Sequence, residues 1–211
     1  MITVVMAKVP SPGRVKTRLI PLIGPEGAAA LARAMAEDVV ATVTAVGPAR
    51  LAVDGDLDDP WLRSLGLPVE AQAPGDLGAR LRHALREGGV AVGTDSPTLP
   101  AALLTEARTR LEGSPPVVVP AFDGGYVAVG AWPDSLGIFS GVPWSASDTF
   151  AASVERARSL GILPTVLPFW YDVDTASDLT FLRAHLRALP PSTAPRTRAF
   201  LQDLPDAAAL R

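Results

Sequence analysis

A chain of 211 residues with 48% hydrophobic residues is long enough for one α/β domain, or two very small ones, with a core that needs no covalent staples. It has no cysteine, which excludes disulfides and thiolate-held metals, and its formal net charge of −3 argues against nucleic-acid binding by bulk charge. No apolar run reaches the roughly 18 residues of a membrane helix, and no cationic leader precedes the first apolar run, so neither a membrane span nor a secretory signal is expected and a cytoplasmic location is.

Residues 2–6 (ITVVM) are continuously apolar and β-branched, which predicts a buried first strand. Residues 8–25 follow as a loop, with Pro10, Pro12, Gly13, Pro21, Gly24 and Pro25. From 26 to about 46, Leu31, Met35, Val39 and Val43 recur at a spacing of four and predict a helix. A short strand at 50–55, a short helix in DPWLRSLG and a strand at VEAQ come next. GDLGARLRHALREGG predicts a helix capped by Asp76 and stopped at Gly88-Gly89. VAVGTDSP (90–97) reads as a strand ending in an acidic turn, and PAALLTEARTRLEG as the next helix. Residues 116–131 predict two strands around an Asp-Gly-Gly turn. SASDTFAASVERARSLG predicts a helix with a Ser/Asp start, and TVLPFWYDVDTASDL a strand, an acidic loop and a capping-box helix start. The last residues, about 191–211, predict a tail helix.

This alternation implies a mostly parallel sheet with helices on both faces and a small antiparallel addition near 117–131. In open α/β sheets ligands sit at the carboxyl ends of strands. Three charged clusters follow strand ends, at 8–18, 93–96 and 172–178.

The first cluster carries Lys8, Arg14, Lys16 and Arg18 on a loop that Pro12-Gly13 folds tightly. Four cations gathered in an acidic protein suit a small anionic ligand such as a phosphate, although a solvated basic loop has the same composition. The loop has neither the GxxxxGK[ST] spacing nor GxGxxG. Asp95, directly after a buried strand, is a candidate ligand for a divalent cation, or with Ser96 a helix cap. Asp174 is a candidate second ligand. Asp178 supports the helix start, and Asp172 faces either the ion or solvent. Asp123, Gly124 and Gly125 form a hairpin turn where an acceptor could approach closely and Asp123 could orient its hydroxyl or act as a base. Gln72 is a candidate nucleobase contact and Arg80 a phosphate contact; Trp144 lines an acceptor pocket or packs in the core. His83 and His185 show no partner pattern, so surface or packing roles are expected.

Taken in order, AKVPSPGRVKTRL, GDLGARL, GTDSPTLP, FDGGYVAVG, PWSASDT and DVDTASDL, with APRTRAFL near the end, resemble the short GT-A-fold nucleotide-diphospho-sugar transferase-like proteins labelled arsenosugar-biosynthesis-type glycosyltransferases. VKTRL is also similar to the KSRL-type loop of phospholactate guanylyltransferases of the same fold. The resemblance covers nearly the whole chain and implies a single Rossmann-like GT-A domain over 1–211. Its nucleotide half would be about 1–100, its acceptor half about 101–190. It implies a transferase using a nucleotide-activated donor, most directly a glycosyltransferase, with nucleotidyl transfer or non-catalytic nucleotide binding as alternatives. Implied cofactors are Mg2+ or Mn2+ on Asp95 and Asp174. Nucleotide contacts fall on Lys8, Pro12, Gly13, Arg14, Lys16, Arg18, Gln72, Gly78, Arg80 and Asp95. Lys16, Arg18 and Asp123 are the implied catalytic residues, and Asp123, Gly124, Gly125 and Trp144 the acceptor contacts. The implied partners are a nucleotide-activated small molecule and an acceptor, with a homodimer as one arrangement. Two departures are visible. Prolines stand where related nucleotidyltransferases open with a glycine pair, and the GT-A acidic pair is reduced to Asp95 followed by Ser96-Pro97.

Overall fold

The structure, a computed structural model, describes residues 1–113, 115–144 and 146–204. Strands β1 (Thr3–Lys8), β2 (Ala49–Asp54), β3 (Val69–Ala71), β4 (Gly89–Gly93), β5 (Val117–Pro120), β6 (Tyr126–Ala131) and β7 (Thr165–Val166) form one sheet in the order β3-β2-β1-β4-β6-β5-β7. β6 runs antiparallel to β4 and β5; the other pairs are parallel. The α/β class with a mostly parallel sheet and a small antiparallel part is therefore the one found.

The helices are α1 (Ile20–Val46), α2 (Pro60–Ser64), α3 (Leu77–Ala84), α4 (Ala101–Glu112), α5 (Thr149–Ser159), α6 (Ala176–Ala188) and α7 (Pro195–Gln202). Side chains alternate across each strand. Val5 and Ala7 of β1 and Val90 and Val92 of β4 face Val39 and Val43 of α1 and Leu104 and Leu111 of α4. Ala91 and Val118 point the other way, into a core with Leu81, Phe139 and Ala157. Both faces of the sheet are thus covered, which is why its central strands read as unbroken apolar runs. A third cluster joins Leu31 and Met35 of α1 to Leu179, Leu182 and Leu186 of α6 and Leu201 of α7. Among the described residues no helix is long and apolar enough to cross a membrane.

Two expectations need correction. The segment expected as loop to residue 25 is already helical from Ile20, preceded by a 3-10 turn at Thr17–Leu19. Pro21 fits the first helical turn, where its missing N–H has no intrahelical partner, and Gly24 (φ 72) kinks the helix so that it restarts at Pro25. Asp148 precedes α5 but makes no side-chain cap; the Thr149 hydroxyl lies within 2.8 Å of the Pro143 and Ala146 carbonyls and ties the start of the helix to the preceding turn. Residues 205–211 of the expected tail helix lie outside the described residues.

The APRTRAFL segment turns out to be a lock. Asp38, buried inside α1, accepts the backbone N–H groups of Arg196 (3.2 Å) and Thr197 (2.8 Å), the free donors at the start of α7. Glu37 pairs with the Arg196 guanidinium at 3.2 Å. Arg198 donates to the carbonyls of Leu186, Leu189 and Pro190, closing the C-terminal end of α6. Asp38→Ala would strand the buried Thr197 N–H, and is expected to cost about 2–3 kcal/mol in urea denaturation. Arg110→Ala, which removes an exposed pair with Glu106, should change stability by less than about 0.5 kcal/mol in the same measurement.

Candidate active site

β1 and β4 are parallel neighbours, yet the chain leaves β1 toward β2 on one side and returns to β4 on the other. The crevice outside their carboxyl ends is the topological switch point, where this class of sheet takes its ligands. The loop after β1 opens with a turn in which the Arg14 N–H donates to the Ser11 carbonyl (3.1 Å), with Gly13 at φ 77. Lys16 then adopts a left-handed backbone, φ 45 and ψ 42, which is costly for a residue with a Cβ. The fully buried Leu19 donates its N–H to the Lys16 carbonyl at 2.8 Å and anchors the turn.

The geometry delivers the Lys16 ammonium between two carboxylates, 2.5 Å from Asp95 Oδ1 and 2.8 Å from Asp174 Oδ1. The lysine side chain is only 4% exposed, while Asp95 and Asp174 are 46% and 38% exposed. Burial by itself would lower the lysine pKa; the two carboxylates outweigh it and hold the ammonium above the usual lysine value. Asp95 comes from the loop after β4. Asp174 comes from a segment tied to that loop by the Val173 N–H on the Asp95 carbonyl, 2.9 Å. Asp178 fixes the segment from the other end, accepting from the N–H groups of Asp174 and Thr175.

Asp172 lies deeper. It accepts the Ser96 hydroxyl at 2.5 Å, and burial pushes its pKa up to about 7; Ser96 opposes the shift, and the charges of Asp95, Asp123 and Asp174 add to it. Its neighbours are held by a polar chain. The Trp170 indole N–H donates to the Thr98 hydroxyl (3.3 Å), which donates to the Tyr171 hydroxyl (2.8 Å), which lies 2.8 Å from His185 Nδ1. Four carboxylates and one ammonium, from four stretches of chain, share this neighbourhood.

Two half-open carboxylates suit a hard divalent cation that keeps most of its own water. The bridged set of one ammonium and two carboxylates carries a net charge of −1, so an anionic ligand gains from arriving with a cation. Asp95 and Asp174 could hold it; among the described residues no group of three His, Cys, Asp or Glu side chains converges tightly enough to do so.

Other expected site residues divide. Lys8, at the end of β1, and Pro12, Gly13, Arg14 and Arg18, beyond it, are exposed. No ion pair joins Lys8, Arg14 or Arg18 to any described residue. Asp123 is exposed on its turn, with Oδ1 accepting the Gly125 N–H at 2.8 Å, beside Gly124 at φ +90. Three positions are more committed than the sequence suggested. Gln72 donates its amide to the Ala7 and Ala52 carbonyls, both 3.0 Å, and accepts from Arg80, whose charge is paired with Asp54 at 3.2 Å. Gly78 is buried, and a Cβ there would lie 2.3 Å from the Phe139 carbonyl and 2.5 Å from the Trp144 indole nitrogen. It is a packing position and not an open nucleotide contact. Trp144 packs against Tyr126 and Phe139. Asp95 and Ser96 do not cap α4, whose N-cap position is Pro100. His185 has a partner after all, Tyr171.

With this geometry in view, comparison with known proteins places the chain. The family model described as uncharacterized protein conserved in bacteria (DUF2064) matches residues 31–146, and the chain belongs to that family. Among solved structures, a protein from Desulfovibrio desulfuricans G20, provisionally named a nucleotide-diphospho-sugar transferase, is 30% identical over 96% of this chain and 94% of its own, with a TM-score of 0.86. A cytidylyltransferase from Leptospira borgpetersenii is 12% identical, covering 95% of this chain and 92% of its own at a TM-score of 0.61. An inositol-1-phosphate CTP transferase from T. maritima is 12% identical, covering 97% of each chain at 0.55. These two share the fold. No curated protein matches the sequence.

Asp172 gives a pH prediction. With its folded pKa above the unfolded value, the native state holds the extra proton, so this group's contribution to stability falls as pH rises from about 4 to about 7. In chelator-containing buffer, the melting temperature of Asp172→Asn relative to the parent is expected to climb across that window and level off above it. Gly124→Ala should destabilise at every pH, since its Cβ would lie 1.8 Å from the Ser147 carbonyl.

Proposed function

We propose that this chain is a metal-dependent transferase acting on a nucleotide-activated donor, most directly a nucleotide-diphospho-sugar. The observation that carries the reading is the Lys16 ammonium bridging Asp95 and Asp174 at the switch point of the sheet. The name of the 30%-identical relative supports the donor class.

The roles follow from position and charge. Arg14 and Arg18, with Lys8, lie exposed around the crevice loop and neutralise the donor's diphosphate as its negative charge grows. Lys16 holds Asp95 and Asp174 together at fixed spacing. Those two would hold Mg2+ or Mn2+, which when bound supplies charge neutralisation to the departing diphosphate. Asp123, on its hydrogen-bonded turn, takes the proton of the acceptor hydroxyl. The acceptor oxygen bonds to the anomeric carbon, the bond from that carbon to the diphosphate breaks, and the electron pair leaves with the nucleoside diphosphate. Gly124, Gly125 and Trp144 lie on the acceptor side, and the loops after β1, β2 and β4 on the donor side.

Nucleotidyl transfer is the second reading. It is favoured by the lone Asp95: the residue after it, Ser96, is committed to Asp172 and offers no second carboxylate to the ion. There a phosphate of the second substrate would attack the α-phosphorus of a triphosphate and pyrophosphate would leave.

Calorimetric titration of UDP-, GDP- and CDP-sugars and of CTP and GTP, each with and without Mn2+, tests the proposal. Manganese-dependent binding of a nucleotide-sugar is expected, and Asp95→Ala should abolish it. Tighter binding of a triphosphate, with pyrophosphate release, would favour the second reading; no nucleotide binding in either panel would contradict both. Arg18→Ala should lower turnover by about 100- to 1000-fold, by analogy with lost oxyanion donors.

A further inference from the structure

Phe122 is 75% exposed, the highest value among the large hydrophobic side chains of the described residues, and Phe169 is 46% exposed. Their rings stack at 5.8 Å with 22° between planes, and Phe150 of α5 meets Phe169 edge-on at 5.9 Å. The two exposed rings come from two of the segments that carry acids of the site. Phe122 directly precedes Asp123, and Phe169 lies three residues before Asp172. An isolated bridge between Ala121 and Trp170, with the Trp170 N–H on the Pro120 carbonyl at 3.0 Å, holds these segments side by side.

The platform is also rigid. The Ala121 N–H donates to the Gly125 carbonyl, the Gly124 N–H to the Ala121 carbonyl, and the Phe150 N–H to the Gly124 carbonyl. Gly124 sits so close to the Ser147 carbonyl that no side chain fits there. Ala121, next to Phe122, and Leu167, two residues before Phe169, are buried. The rings are therefore presented to solvent by a fixed backbone, with Phe122 beside Asp123 in the chain and Phe169 three residues before Asp172.

Resting on the transfer reading above, we propose that Phe122 and Phe169 form the specificity platform for the acceptor, and that the acceptor is an alcohol whose body carries an aromatic ring. An exposed aromatic pair with no polar handle favours a flat apolar partner stacking on it or meeting its edge. Asp123 beside it supplies the polar contact that orients the hydroxyl.

The test uses the intact protein without nucleotide, so it is decided independently of whether a nucleotide donor binds. Phenyl β-D-glucoside and methyl β-D-glucoside serve as probes, compared by saturation-transfer NMR and by titration. Saturation concentrated on the phenyl protons, and binding about tenfold tighter than for the methyl glucoside, is the expected result. Phe122→Ala and Phe169→Ala should each remove most of that advantage, and Phe122→Leu, which keeps apolar bulk without the ring, should remove part of it. Equal binding of the two probes overturns the proposal, as does a preference that survives both alanine substitutions. So does a result in which the substitutions alter only the sedimentation mass, which would assign the patch to a second copy of the chain.

Discussion

A buried ammonium is tolerable only when its charge is answered, and here two loops far apart in sequence must answer it. Lys16 is nearly inaccessible, so Asp95 and Asp174 are not ornaments on the crevice but the condition under which the loop after β1 can fold inward. Removing both partners would leave the ammonium uncompensated in a poor solvent. The pairing therefore fixes the relative position of three chain segments, and with it the shape of the crevice. The left-handed backbone at Lys16 belongs to the same constraint: it is strain held in place by the anchor at Leu19 and by the two ion pairs.

Burial explains Asp172. Its carboxyl is pushed toward the neutral form first by desolvation and then by the three acids around it, against the hydrogen bond from Ser96. Asp95 and Asp174, by contrast, stand half open to water and share the Lys16 ammonium. One cluster thus separates into an outer pair fit to meet a ligand and an inner acid that holds the frame. The fold supports this from behind. Residues 169–178 carry Phe169, Asp172, Asp174 and the start of α6, and α6 is closed at its far end by Arg198 while Asp38 holds the start of α7. The lock at the end of the chain therefore stabilises the segment on which the acids ride.

Much of this architecture was legible in the residues. The β-branched runs gave the buried strands, the four-residue spacing at Leu31, Met35, Val39 and Val43 gave α1, and Asp-Gly-Gly gave the hairpin, because these signals are local. The capping box at Thr175 and Asp178 formed as read. The start of α1 was misplaced because Pro21 and Pro25 look like loop residues, yet one fits a helix's first turn and the other restarts it past a glycine kink. Within the site, the charged clusters at the strand ends were visible, but their pairing was not. Nothing local says that Lys16 answers Asp95 and Asp174, that Gln72 is tied to sheet carbonyls, or that Tyr171 gives His185 a partner. Asp38 looked like one more residue of an Ala-rich helix, since its partners lie 158 and 159 residues away.

The central claim is that the two carboxylates gathered by Lys16 are where the ion and the nucleotide's phosphates meet. Anomalous diffraction from crystals soaked with Mn2+ and a nucleotide-sugar measures this directly. A manganese peak in contact with oxygens of both Asp95 and Asp174, with the diphosphate on its open side, is the predicted result. A peak on other residues, or phosphates bound away from the crevice between β1 and β4, would contradict it.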